Sequence, residues 1–133
     1  MDIKPNSIEA IIYFALYICG QDKEISKIEL IEMIESSKIV ANLNTDDVDY
    51  FNSLDIDELV NNMTKEILSK RNWLGKVVFN DEKKYIHSIL DVPNRIELAL
   101  RVARIAASID GLHERESHKF SFWLEEWNDT LKK

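Results

Sequence analysis

The most telling segment of this sequence reads Arg101-Val-Ala-Arg-Ile-Ala-Ala-Ser-Ile-Asp-Gly-Leu-His-Glu-Arg-Glu116. It joins an apolar helical run to an Asp at the helix exit, and an acid-bearing turn then opens a new helix. The same arrangement occurs near the start, in Tyr13-Phe-Ala-Leu-Tyr-Ile-Cys-Gly-Gln-Asp-Lys-Glu-Ile-Ser-Lys-Ile-Glu29. Two copies of such a unit indicate an internal duplication. The sequence therefore predicts an all-α fold made of two pseudo-repeated helix–acidic-turn–helix halves.

The length and composition favour one helical domain. A chain of 133 residues has the usual size of a single domain, so residues 1–133 are expected to form one globular unit. Hydrophobic residues make up 45% of it, with only 3 Gly and 2 Pro, and such scarcity of turn residues favours helices over strands. The single Cys excludes an internal disulfide. The formal charge of −7 argues against a nucleic-acid partner, because such proteins usually carry a basic face.

Two predicted helices are apolar on nearly every side, over residues 7–20 and 94–109. Helices of this kind belong in the centre of a domain, so we expect them to form a buried pair. Shorter amphipathic runs bring the expected number of helices to about seven. The last helix is predicted over residues 114–131, with a core stripe of Phe120, Trp123, Leu124, Trp127 and Leu131. Neither a leader pattern nor an apolar run near the roughly 20 residues of a membrane span occurs, so a cytoplasmic protein is expected.

The two acidic turns are the candidate functional site. Carboxylate oxygens are the donors that Ca²⁺, Mg²⁺ and Mn²⁺ prefer. Several uncompensated carboxylates brought together repel one another, and a bound cation relieves that repulsion. Helix capping explains the same acids without any metal, because Asp and Glu are common in first helical turns. The candidate ligands are Asp22, Glu24 and Glu29 of the first turn, and Asp110, Glu114 and Glu116 of the second.

Other motifs fit a specific chemistry less well. His113 and His118 lie about 140° apart around a helix, whereas a zinc-protease helix carries its His residues at i and i+4. No Gly-rich phosphate loop and no Gly-x-Ser-x-Gly motif supports nucleophilic catalysis. A basic group around Trp73 suits a lipid or acidic surface, although a solvated helix face explains it more simply; its members are Lys65, Lys70, Arg71, Lys76, Lys83 and Lys84.

The second acidic turn and its flanks resemble the TerB-like family, named for a tellurite-resistance protein. The resemblance lies in Asp91-Val-Pro-Asn-Arg-Ile-Glu-Leu-Ala-Leu-Arg-Val-Ala-Arg-Ile-Ala-Ala-Ser-Ile-Asp-Gly111 and in Glu116, and residues 22–29 are similar to the N-terminal copy of the family motif. It implies an all-α fold with two pseudo-equivalent halves. It further implies a cytoplasmic, non-enzymatic protein of a bacterial stress response. Such a protein binds a divalent metal through the turn acids and works beside a membrane-associated or chaperone partner.

We therefore expect a non-catalytic TerB-like interaction module that binds Ca²⁺, Mg²⁺ or Mn²⁺ and a protein partner. Two alternatives stay open. The same acids can serve a metal-dependent hydrolase, or the chain is a metal-free helical adaptor that docks its partner in a groove or at the basic group. The sequence leaves the oligomeric state, the identity of the partner and any link to tellurite open.

Overall fold

The computed structural model describes residues 2–19, 45–75, 77–108 and 114–131, which form helices joined by short non-helical segments. No strand occurs in these ranges, and the all-α prediction is confirmed there. The number of helices and the duplication stay predictions, because residues 20–44 lie outside the described part. The helices are α1 (Ile8–Cys19), α2 (Thr45–Ser53), α3 (Ile56–Ser69), a 3₁₀ helix (Arg71–Leu74), α4 (Asn80–Ile89), α5 (Pro93–Ser108), α6 (Glu114–Glu126) and α7 (Asn128–Leu131).

Helix α1 is the centre of the fold, and α5 is its main neighbour. Every residue of α1 except Glu9 is buried. On α5, Ala99, Ala103 and Ala106 are buried at successive turns, and their small side chains allow the two backbones to approach closely. The predicted central pair of apolar helices is therefore confirmed, with α3 and α6 packed on other sides of α1.

The first turns of α1 and α5 are tied together by Asn6. Its side-chain oxygen accepts hydrogen bonds from the backbone N–H groups of Asp91 and Val92, both at 3.0 Å. Its amide group donates to the Asp91 carboxylate at 2.6 Å, and its own backbone N–H donates to the Ile89 carbonyl at 2.8 Å. Asn6 adopts a positive φ of 61°, which Asn tolerates better than most residues. Because the helices begin together and pack against each other, α1 and α5 run in the same direction.

In the sequence, Asp55-Ile-Asp-Glu58 predicts the capped start of a helix that carries Leu59, Val60, Met63 and Ile67. Helix α3 begins as this pattern predicts and ends earlier than expected. The Asp55 side chain accepts a hydrogen bond from the Glu58 backbone N–H at 3.2 Å, so Asp55 is the predicted N-cap. The helix was expected to continue to Leu74 and stop at Gly75. Instead it ends at Ser69, and a 3₁₀ helix follows, which turns the buried Trp73 side chain back into the core.

The C-terminal helix differs from the prediction in its core stripe. A local interruption at Trp127 divides it into α6 and α7, although hydrogen bonds from Trp127 N–H to the Trp123 carbonyl and from Leu131 N–H to the Trp127 carbonyl continue at 3.0 Å. Leu124, predicted to be buried, is 43% exposed. Trp123 and Trp127 are buried as predicted, and the third buried position is Lys119. These three recur at i, i+4 and i+8 on one helix face.

Candidate functional site

The predicted metal ligands fall mostly outside the described part of the chain. Glu114 and Glu116 belong by their backbone to the first turn of α6, and their side chains lie outside the described atoms. Within the described ranges, no three or more His, Cys, Asp or Glu residues are grouped so as to hold a metal ion. The predicted meeting of the two acidic turns therefore stays a prediction, since four of its members lie outside the described residues: Asp22, Glu24, Glu29 and Asp110.

The described core contains a charged cluster that the sequence did not predict. Glu82 of α4 and Lys119 of α6 are both completely buried and form an ion pair. The same Glu82 oxygen, Oε2, also accepts a hydrogen bond from the Tyr17 hydroxyl. The Trp123 indole N–H donates to that hydroxyl at 3.1 Å. Three helices, α1, α4 and α6, thus meet at one carboxylate oxygen.

The position of Glu82 follows from the way α4 begins. Its second oxygen, Oε1, accepts a hydrogen bond from the backbone N–H of Phe79 at 3.2 Å, just ahead of the helix. A Glu that reaches back to the residue before a helix is a common N-terminal arrangement. The Lys119 ammonium also approaches the Val77 carbonyl at 3.4 Å and lies 5.2 Å from the centre of the Tyr17 ring. Each charge is therefore surrounded by polar partners.

This buried cluster is an architectural feature. Both charged side chains are 0% exposed, so no substrate reaches them without the core opening. An ion pair in a low-dielectric interior persists only when its geometry is good and its other hydrogen-bonding capacity is used. Networks of this kind favour one arrangement of the helices over others. The cluster therefore determines how α4 and α6 pack against α1.

Within the basic group, Lys65 and Lys84 are exposed, as a solvated face requires, whereas Trp73 is not at the surface. Trp73 is 3% exposed, so it cannot present its ring to a lipid surface. The Lys70 ammonium points inward, 4.1 Å from the centre of the Trp73 ring and 4.3 Å from that of Tyr85. It is also paired with Glu66 at 3.2 Å. Cation–π contact and an ion pair together account for the position of the Lys70 ammonium.

Two tyrosines beside Lys70 have unusual environments. The Tyr13 and Tyr85 rings meet edge to face, with centres 5.4 Å apart. Both hydroxyls are buried without a hydrogen-bond partner in the described part of the protein. Burial, reinforced by the negative charge of Glu66, raises the pKa of both phenols. They therefore stay neutral well above physiological pH.

Of the two histidines at positions 113 and 118, only His118 is described. It is exposed on α6. His113 lies outside the described residues. His87 on α4 is a third, partly exposed histidine that contacts Glu126 at 3.3 Å and the Trp123 ring, with ring centres 5.2 Å apart. A single carboxylate partner makes this a surface contact between α4 and α6.

A surface groove of about 500 Å³ lies between α5, α6 and α7. We call it the α5–α6 groove. The exposed side chains Glu97, Arg101 and Arg104 of α5 line one side of it. The remaining lining is apolar and comes from all three helices: Leu100, Ile105, Phe120, Leu124 and Leu131. The sequence signal for this groove was the apolar stripe of residues 120–131, which was assigned entirely to the core.

None of the helices in the described ranges has both the length and the apolar character needed to cross a membrane. Comparisons with protein-family models, with curated proteins and with solved structures gave no match to this chain.

Proposed function

We propose that this chain is a non-catalytic interaction module of the TerB-like type, which acts in a bacterial stress response and binds a divalent cation through its two acidic turns. Asp22, Glu29, Asp110 and Glu116 are the main ligands, assisted by Glu24 and Glu114. The cation holds the two turns together, and the surface that they form binds a protein partner. That partner can be a membrane-associated protein.

The common direction of α1 and α5 is the observation that supports this proposal. Both helices begin at the Asn6 contact, and each precedes one of the two predicted acidic turns in the sequence. In the sequence, Asp22 follows the end of α1 by three residues and Asp110 follows the end of α5 by two, and a chain of three residues spans at most about 10 Å. Helix α1 has 12 residues and α5 has 16, which separates the two ends by only about 6 Å along the axis.

A thermal-unfolding titration with Ca²⁺, Mg²⁺, Mn²⁺ and Zn²⁺ tests the proposal. At a hundred times its dissociation constant, a cation that binds the folded state adds about 2.7 kcal/mol, which raises Tm by several degrees in a domain of this size. The double variant Asp22→Asn/Asp110→Asn should lose the rise. The matched control Asp57→Asn/Glu125→Gln removes two exposed carboxylates elsewhere and should keep it. No shift with any of the four cations would refute metal binding.

The hydrolase alternative uses the same acids and is tested separately. Phosphomonoester and phosphodiester substrates should show no Mg²⁺- or Mn²⁺-dependent turnover. Turnover that disappears in Asp22→Asn/Asp110→Asn would establish an enzyme and overturn the non-catalytic proposal.

The metal-free adaptor is the second candidate, and the α5–α6 groove favours it. An apolar groove with charged side chains along one side is a common way to bind a helix of another protein. This candidate requires only that a partner binds when every cation has been removed.

A further inference from the structure

We propose that the α5–α6 groove binds an amphipathic helix of a partner protein, with the apolar side of that helix in the groove and acidic residues opposite Arg101 and Arg104. This inference rests on the interaction-module part of the proposed function and not on the metal.

The apolar part of the groove is available to a partner. Leu124 is 43% exposed, because the core-facing positions of α6 are taken by the stripe through Lys119, Trp123 and Trp127. Phe120 and Leu131 are half-buried and pack against the edge of the core. Together with Leu124 they line the groove along α6 and α7. Covering such a surface removes apolar area from water, which is the main favourable contribution to helix-in-groove binding.

The charges along the groove favour a partner helix that carries negative charge. Arg101 and Arg104 are both exposed and stand at i and i+3, one above the other on α5. Neither makes an ion pair within the described part of the chain. Glu97, one turn before Arg101, is not among the paired carboxylates either, although the spacing permits contact. Two unneutralised guanidinium groups in a chain of net charge −7 favour carboxylates, which they can bind through two parallel hydrogen bonds.

Glu97 determines which way the partner helix should lie in the groove. It lies at the end of the groove that is nearer the start of α5, whereas Arg104 lies nearer the other end. An acidic residue placed against Glu97 is repelled, and one placed against Arg104 is attracted. The partner helix should therefore carry its acids toward the Arg104 end and a neutral or basic residue toward the Glu97 end. Charges at a rim act more on specificity and on the association rate than on affinity.

The test uses two synthetic peptides in fluorescence-anisotropy titrations of the full chain. Both peptides carry leucines at i, i+4 and i+7, the spacing that helix-binding grooves recognise. One has Glu at the flanking positions and the other has Lys at the same positions. We expect the Glu peptide to bind at least about tenfold more tightly than the Lys peptide.

Variants of the groove separate its apolar and charged parts. Leu124→Glu should weaken binding of the Glu peptide by about tenfold or more, and Arg101→Glu/Arg104→Glu should reverse the preference toward the Lys peptide. The controls Val92→Glu and Lys84→Glu change exposed residues elsewhere and should leave both affinities unchanged. Circular dichroism confirms that each variant is folded, which is expected because all the substituted side chains are exposed or line the groove.

Three outcomes would overturn this inference. They are the absence of saturable binding by the Glu peptide, equal binding of both peptides, and undiminished binding to Leu124→Glu. A dimer in sedimentation equilibrium that Leu124→Glu dissolves, with no peptide binding, would identify a second copy of the chain as the occupant and overturn it as well. The titrations are run in chelator and again in saturating Mn²⁺. If no cation raises Tm but the Glu peptide still binds, only the metal site is refuted. If a cation raises Tm but the peptide does not bind, only the groove proposal is refuted.

Discussion

The buried ion pair supports a quantitative prediction about stability. In Lys119→Met, the Glu82 carboxylate stays in the core without its cation and keeps only the Tyr17 hydroxyl and the Phe79 N–H among the contacts described here. Removing one partner of a buried pair costs about 3–5 kcal/mol, because an uncompensated charge is left behind. Domains are stable by about 5–15 kcal/mol, so this single substitution removes a large part of the total.

A double-mutant cycle separates the pair from its surroundings. Glu82→Gln alone strands the Lys119 ammonium and should cost about as much as Lys119→Met. The double variant Glu82→Gln/Lys119→Met removes both charges, and its Gln can still accept from Phe79 and contact Tyr17. We therefore expect the double variant to lose less free energy of unfolding than the two single variants lose together. The difference, which is the coupling energy of the pair, should be about 1–3 kcal/mol.

Urea unfolding followed by circular dichroism measures these costs, with Lys83→Met as the matched control. Lys83 also pairs with a carboxylate, Glu126 at 3.2 Å, but its side chain is 43% exposed. Exposed pairs contribute about 0–1 kcal/mol, so the control should stay close to wild type. The reasoning is refuted if Lys119→Met costs no more than Lys83→Met, since the pair would then not be desolvated.

Two further substitutions test the polar contacts around α1. Tyr13→Phe removes a buried hydroxyl that has no partner in the described structure and should raise the free energy of unfolding by about 1–3 kcal/mol at pH 7. Burial raises the pKa of Tyr13 above its ordinary 10.0. Above pH 10 the unfolded chain therefore loses this proton first, and the free energy of unfolding should fall by up to about 1.4 kcal/mol per pH unit. The fall should be less steep in Tyr13→Phe, and equal pH dependences of the two proteins in urea unfolding above pH 10 would contradict this. Asn6→Gly keeps the positive φ but loses the side-chain hydrogen bonds to Asp91 and Val92, at a cost of about 1–3 kcal/mol. Asn6→Ala should cost about 1 kcal/mol more, and an Ala variant as stable as the Gly variant in urea unfolding would contradict the backbone argument.

The central helix pair was predictable because its signal is local. Helix α1 is apolar around its whole circumference, and α5 combines apolar residues with alanines at successive turns. Such patterns indicate burial whatever the partner is. The same local reasoning failed at Leu124, because a stripe of apolar residues on α6 can face either the core or a groove. Only the packing of α6 on α1 distinguishes the two.

Lys119 could not be found in the same way. A lysine in an amphipathic helix is normally solvated, and its partner Glu82 lies 37 residues away in the chain. Nothing in helical periodicity encodes a contact between charges on two different helices. Trp73 illustrates the same limit, because basic neighbours suggested a surface position for a ring that α1 and α4 enclose through Tyr17 and Tyr85.

For the candidate metal site, the sequence identifies the acidic residues but does not indicate whether the two turns lie close together. In the sequence, Pro5-Asn6-Ser7 indicates only a helix start. In the structure, Asn6 also ties α1 to α5 and so sets the relative direction of the two helices. That direction is the physical condition for the two turns to approach each other. Had α1 and α5 run in opposite directions, the acids would lie at opposite ends of the pair, and no single cation could join them.

The buried cluster and the proposed metal site are connected through the chain. Tyr17 lies in the last turn of α1, just before the first acidic turn, and Lys119 lies in α6, soon after the second. Glu82 binds both side chains, so one carboxylate in α4 fixes the helix before the first predicted turn and the helix after the second. Segments that leave fixed ends lose less conformational freedom when a ligand orders them. A cation at the acidic turns would therefore bind beside two helices that the core has already positioned.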